Sequence, residues 1–135
     1  MALPELDQRT RDTVKSRYRR VVEHPPDFPT CLIHNDLGPV HLLVGGSGAP
    51  VGLIDFEDAW LGDPATDLTP LVACLGWAVL PELVAGRDLG QRLDERISFY
   101  RWMGSIHAII YGVTEHVEAE RTGGIRELRR RLEVR

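Results

Sequence analysis

Three short clusters in this chain have residue types and spacing suited to chemistry: His34-Asn35-Asp36, His41, and Ile54-Asp55-Phe56. Together they offer one carboxylate to take a proton and a His/Asp pair to hold a divalent cation. Phosphoryl transfer needs those parts: a base or orienting group for an acceptor hydroxyl, and protein ligands for the magnesium that neutralises nucleotide phosphates.

The elements that must position these groups can be read from the same stretch. Leu42 to Val44 and Val51 to Ile54 are short apolar strands, and Gly45 to Pro50 is a glycine-rich turn between them. A hairpin brings its two outer ends together, so the loop holding Asp36 and His41 should lie beside the loop that opens with Asp55. Thr30 to Ile33 reads as a short strand leading into the first loop. Gly38-Pro39 breaks regular structure there, leaving Asp36 to face outward while Leu37 turns inward.

Residues 30 to 68, which continue into Gly62-Asp63-Pro64 and Asp67-Leu68, resemble the catalytic core of the aminoglycoside phosphotransferase family. These small-molecule kinases carry a His-x-Asp loop, a metal ligand five residues after the Asp, and an Ile-Asp-Phe or Ile-Asp-Trp segment parallel to the kinase DFG. A lone HxD or IDF is weak, and the ordered combination is strong. The resemblance implies that Asp36 is the catalytic aspartate, His34 the histidine that braces its loop, Asn35 a phosphate-positioning residue and Asp55 the principal magnesium ligand. Most of the family has asparagine where this chain has His41, although the 2''-aminoglycoside and macrolide 2'-phosphotransferases also place histidine there. Imidazole suits zinc and copper better than magnesium. His41 is therefore a metal ligand beside Asp55, or it touches phosphate or a water on the metal.

The fold implied is α+β, a mostly helical protein-kinase-like C-lobe with a short β-hairpin carrying the catalytic and metal-binding loops. The cofactors implied are Mg2+ with ATP or GTP. A kinase-like enzyme also needs an upper lobe with a nucleotide-covering loop and a phosphate-binding lysine. The sole lysine here is Lys15, inside a predicted helix. Residues 1–135 are thus expected to form a single domain, the C-terminal lobe alone. It should self-associate or pair with a separate N-lobe to cover the apolar docking face.

Composition fits that size. The chain has 135 residues, 43% of them hydrophobic, which is enough for one domain with a real core. A net charge of -4 argues against a nucleic-acid binder, for which a concentrated basic face is expected. Cys31 and Cys74 lie in apolar runs without a C-x-x-C pattern, so they read as buried thiols in a reducing cytosol. No stretch reaches the ~18 apolar residues of a membrane span. The N-terminus is too charged for a signal peptide, and a cytoplasmic protein is expected.

Outside the motif the pattern is helical. Residues 3–23 form a helix with Pro4 in its first turn and Pro25-Pro26 beyond its end, its arginines read as a solvated face. Asp67 or Thr66 is expected to cap a helix over Leu68 to Val79, with Pro70 in its first turn. Residues 91–118 make the longest helix, apolar nearly all round and therefore central or partnered. His107 on it reads as a core residue. His116 with Glu115, Glu118 and Glu120 is either an exposed helix end or a polyamine site. Residues 125–135 form an amphipathic tail with three solvated arginines.

Four acids, Asp55, Glu57, Asp58 and Asp63, fall within nine residues. Glu57 and Asp58 are a second metal ligand, a cradle for a cationic substrate, or loop acids that cap backbone amides. Trp60 reads as a half-buried packing residue. Two other functions fit the same residues. One is a non-catalytic binding module from a truncated or split kinase gene. The other is a metal-dependent hydrolase using Asp36, His41 and Asp55.

Overall fold

The computed structural model describes residues 6–133. It is a mostly helical α+β fold in two compact units: residues up to 26 together with 99 onward, and residues 27–98. Among the described residues no helix is long and apolar enough to cross a membrane.

The first unit is helical. Helix α1 runs Gln8–Glu23, later than the sequence pattern suggests, and Leu3 and Pro4 lie outside the described residues. Asp7 sets its start: the carboxylate accepts the Thr10 N–H and the Thr10 hydroxyl, both at 2.8 Å. Helix α4, Leu93–Thr114, begins in the second unit and continues in the first, where α5, Glu118–Glu133, follows it. The long helix ends short of residue 118 because His116 takes a left-handed backbone, φ 58°. Glu118 and Glu120 therefore open a new helix, where carboxylates favour the positive end of the dipole.

Leu6, Trp102, Ile109 and Leu128 form this unit's buried core, with Val14, Phe99, Met103, Ile106, Ile125 and Leu132 against it. Two glycines let the helices approach closely. A Cβ at Gly124 would lie 2.8 Å from Ile109 Cγ1 and the Ser105 carbonyl oxygen, and one at Gly112 would run into the Arg121 backbone. The middle of α4 is not buried all round. His107 is exposed rather than a core residue, and Tyr111 and Val113 also face solvent, because the buried face of the helix runs through Trp102, Ser105, Ile109 and Gly112. The tail arginines are not simply solvated either. Glu127 binds Arg130 (Nε at 2.8 Å) and Arg131 (Nε at 2.7 Å), which holds its carboxyl well down, at a pKa of about 2.

The second unit carries four short strands. β1 (Cys31–Ile33) pairs antiparallel with β4 (Trp60–Gly62), and β2 (Leu42–Val44) with β3 (Pro50–Leu53). The β2–β3 hairpin is the expected one, with the Gly45 N–H on the Ala49 carbonyl at 2.8 Å and Gly48 at φ 81° closing its turn. The β1–β4 pair has no counterpart in the sequence reading. It sets Ile33 opposite Trp60, and Gly62 leaves room for the buried Ile33 side chain. Trp60 is 70% exposed, so it is not the half-buried residue expected.

Helix α2 runs Ala65–Leu75 and stops at Gly76, whose φ of 86° no helix can continue. A short helical turn at Trp77–Val79 and α3 at Leu80–Val84 follow, in place of one helix to Val79. Pro70 sits in the interior of α2 rather than its first turn, and just before it the Thr69 hydroxyl donates to the Ala65 carbonyl at 2.7 Å. Both cysteines are free. Cys74 is exposed and Cys31 partly so, and neither is the buried thiol expected.

Candidate active site

The sequence motifs converge at the open end of the β2–β3 hairpin. Beyond the strand ladder the Ile54 N–H donates to the His41 carbonyl at 3.0 Å, which ties the two loops together. His41 closes the helical turn Pro39–His41, and its ring lies between two carboxylates. Its Nδ1 is 3.9 Å from Asp36 Oδ2, and its Nε2 is 3.7 Å from Asp55 Oδ2. Asp36 and Asp55 both keep more than half of their side-chain surface exposed, whereas His41 keeps little.

The loops are held in unusual backbone conformations. Asn35 has φ 68° and Asp55 has φ 66°, in the left-handed region where Asn and Asp are the most tolerated residues after glycine. Just before this bend the loop gives two successive N–H groups to one carboxylate. Asp67 accepts the His34 N–H at 2.7 Å through Oδ2 and the Asn35 N–H at 2.9 Å through Oδ1.

His34 is buried at 4% exposure and works from beneath. Its Nε2–H donates to the Ile54 carbonyl at 2.8 Å, a bond that crosses from the first loop to the second. Its ring stacks on His41 at 5.4 Å and tilts against Phe56 at 4.6 Å. Nδ1 is buried without a hydrogen-bond partner. A nitrogen sealed in that way cannot exchange protons with a substrate, so the geometry favours bracing over a base at His34.

His41 Nε2 and Asp55 Oδ2 also fit a cation. Two donors each about 2.0–2.2 Å from a metal can span up to about 4 Å, which includes the 3.7 Å between them. Glu57 and Asp58 are exposed, and among the described residues no three His, Cys, Asp or Glu side chains gather into a metal cluster. A purely protein-built cage is not present there. A site that takes most of its ligands from water and nucleotide phosphate is what two donors suit.

Comparison with known proteins bears directly on this arrangement. Residues 2–100 match the phosphotransferase enzyme family, which is most of the chain. The chain belongs to that family. It is 30% identical over 104 residues to viomycin phosphotransferase of Streptomyces vinaceus, a match covering 74% of this chain and 36% of that protein. Its fold is similar to that of the GDP complex of wild-type aminoglycoside 2'-phosphotransferase-IIIa, with TM-score 0.80 and 26% identity over 98% of this chain and 46% of the other. The GDP and kanamycin complex of a phosphotransferase of the same type gives TM-score 0.82 at 26% identity, over 97% and 46%. The chain spans about half the length of these solved phosphotransferases, and about a third of the viomycin enzyme.

One contributor to this candidate site was misjudged from sequence. Asp67 reads as a helix cap, yet the first residue of α2 takes its side-chain bond from Asp63, whose Oδ1 accepts the Ala65 N–H at 2.9 Å. That leaves Asp67 to reach back to the His34 loop. Asp63 is itself buried beside Arg96, Oδ2 to Nε 3.0 Å, off the line of a hydrogen bond but close enough for an ion pair. Arg96 donates to the Gln91 and Leu89 carbonyls at 2.5 Å each and lies 5.2 Å from the Phe28 ring centroid. The only sequence signal for Asp67 was the repeated Asp of the GDPATDL segment.

Proposed function

We propose that this chain is the catalytic lobe of a phosphotransferase that moves the γ-phosphoryl group of ATP or GTP to a hydroxyl of a small molecule. The observation that carries the reading is the pair of carboxylates, Asp36 and Asp55, flanking the His41 ring at 3.9 and 3.7 Å. Asp36 orients the acceptor hydroxyl and takes its proton as the new O–P bond forms and the bond to the nucleoside diphosphate breaks. Asp55 and His41 would hold magnesium, which would supply neutralising charge to the phosphates. Asn35 and the backbone of its loop position the phosphate, and His34 braces that loop from beneath.

The relatives support a choice of acceptor class to test. Their names specify viomycin and kanamycin, so a cationic, hydroxyl-bearing antibiotic is the first substrate to try. Exposed Glu57 and Asp58 beside Asp55 would attract such a cation. The strands and the turns beside them leave Val40, Val44, Val51, Phe56 and Leu61 well exposed. A nucleotide-covering lobe would bury that apolar surface and complete the nucleotide pocket, and the chain's match to only 46% of the solved relatives is in keeping with this.

Calorimetry with GTP or ATP at millimolar magnesium, with and without a candidate nucleotide-covering lobe, tests the reading. Binding that disappears in Asp55→Ala, with transfer to kanamycin or viomycin that disappears in Asp36→Asn, is expected. No nucleotide binding under either condition would leave a non-catalytic module as the better account.

A further inference from the structure

Arg96, in the first turn of α4, has a guanidinium that meets both segments leading to the His34–Asp36 loop. It is buried at 3% exposure, and every side of it faces a partner. Nη1 donates to the Gln91 carbonyl, Nη2 donates to the Leu89 carbonyl, Nε lies beside Asp63 Oδ2, and the Phe28 ring centroid is 5.2 Å from the guanidinium carbon. A planar, permanently charged fork can meet carbonyls, a carboxylate and a ring at once, which an ammonium cannot.

The two sides of this contact lead to one place. Asp63 accepts the Ala65 N–H and so sets the start of α2, whose Asp67 holds the N–H groups of His34 and Asn35. Phe28 lies just ahead of β1, and β1 runs directly into His34. Packing around Phe28 leaves no slack. The Gln91 N–H donates to the Asp27 carbonyl at 2.9 Å, and a Cβ at Gly90 would lie 2.6 Å from that oxygen and from the Phe28 Cα. One side chain thus ties down both the strand that enters the loop and the helix that anchors it.

We infer that Arg96 is a positioning residue for phosphoryl transfer, holding β1 and α2 in register so that the loop between them sets the place of Asp36. The inference rests on the reading of Asp36 as the group that orients the acceptor hydroxyl. Arg96 acts on that group only through the loop. Such positioning matters because a displacement of about 1 Å at a reacting group can cost about a hundred-fold in rate.

The test replaces Arg96 with lysine, which keeps a positive charge for Asp63 and strands no buried carboxylate, but loses the fork and the ring contact. Amide hydrogen exchange is read at His34 and Asn35 against Gly45, whose N–H closes the hairpin turn in the same unit. Arg96→Lys should lower protection at His34 and Asn35 about ten-fold or more and leave Gly45 as it was. The double variant Asp63→Asn/Arg96→Met, which removes both charges, should show the same selective loss. With a candidate nucleotide-covering lobe supplied, Arg96→Lys should lower kcat for transfer to kanamycin about ten-fold or more, with KM for the nucleotide unchanged. Protection kept at His34 and Asn35 in either variant, protection lost equally at Gly45, or an unchanged kcat would overturn the inference. Failure of the underlying reading looks different: wild type would then transfer no phosphoryl group, while the selective loss of protection would remain.

Discussion

The carboxylate of Asp67, on the first turn of α2, accepts the backbone N–H of His34 at 2.7 Å and so anchors the loop that carries the candidate base. Its other oxygen holds the next N–H, that of Asn35, at 2.9 Å. The two successive donors of the loop therefore share one carboxylate. One helix thus fixes the height and direction of a loop more than thirty residues away in sequence.

Replacing Asp67 with alanine leaves both N–H groups without this acceptor. Charge-assisted bonds contribute about 1.5–3 kcal/mol each, with partial replacement by water at a half-exposed site. Asp67→Ala should lose about 2–4 kcal/mol in urea unfolding. In hydrogen exchange the His34 and Asn35 amides should lose protection selectively. A uniform loss across the second unit would instead mean that Asp67 matters only for general stability.

The buried Asp63–Arg96 pair supports the same helix. Both side chains are 3% exposed, and removing one partner strands the other charge. Arg96→Met should cost about 3–5 kcal/mol. The double variant Asp63→Asn/Arg96→Met should recover part of that loss, because no unpaired charge then remains. Additive costs in the double-mutant cycle would contradict the pairing.

Glu127 gives the first unit an acid-sensitive element. Its pKa is lowered from 4.5 to about 2, chiefly by the hydrogen bond from Arg130 and then by that from Arg131. A carboxyl depressed in the folded state stabilises fully above its unfolded value and loses that contribution as pH falls toward the folded one. The increment is therefore complete above pH 4.5 and fades toward pH 2. With about a third of the side chain exposed it amounts to about 0.5–1 kcal/mol. Glu127→Gln should lower the unfolding midpoint at neutral pH and match wild type near pH 2; an equal gap at both pH values would contradict the assignment.

Much of the site was legible because it is local. The strands on either side of Gly45 to Pro50 alternate with polar loops, and a hairpin leaves its two outer ends nowhere to go but together. His41 therefore falls between Asp36 and Asp55, as the spacing implies. Asp67 was misread because an acid in a first helical turn has the same sequence signature whether it caps its own helix or reaches elsewhere. The β1–β4 pairing was hidden by its length: three residues, Trp60-Leu61-Gly62, carry no periodicity to recognise. His107 was assigned to the core because its neighbours are apolar. The face of α4 it occupies is set by Gly112 and Gly124, which draw α5 to the other side.

The central claim is that a proton acceptor and a cation holder share one point at the hairpin's open end. Carbon-detected NMR of the side-chain carboxyls during a Mn2+ titration tests it most directly, since the paramagnetic ion broadens what lies near it. The account predicts that the Asp36 and Asp55 carboxyl signals broaden together at the lowest manganese levels, and that the Asp36 broadening vanishes in Asp55→Ala. Broadening of Asp55 without Asp36, or broadening spread evenly over the exposed acids, would contradict it.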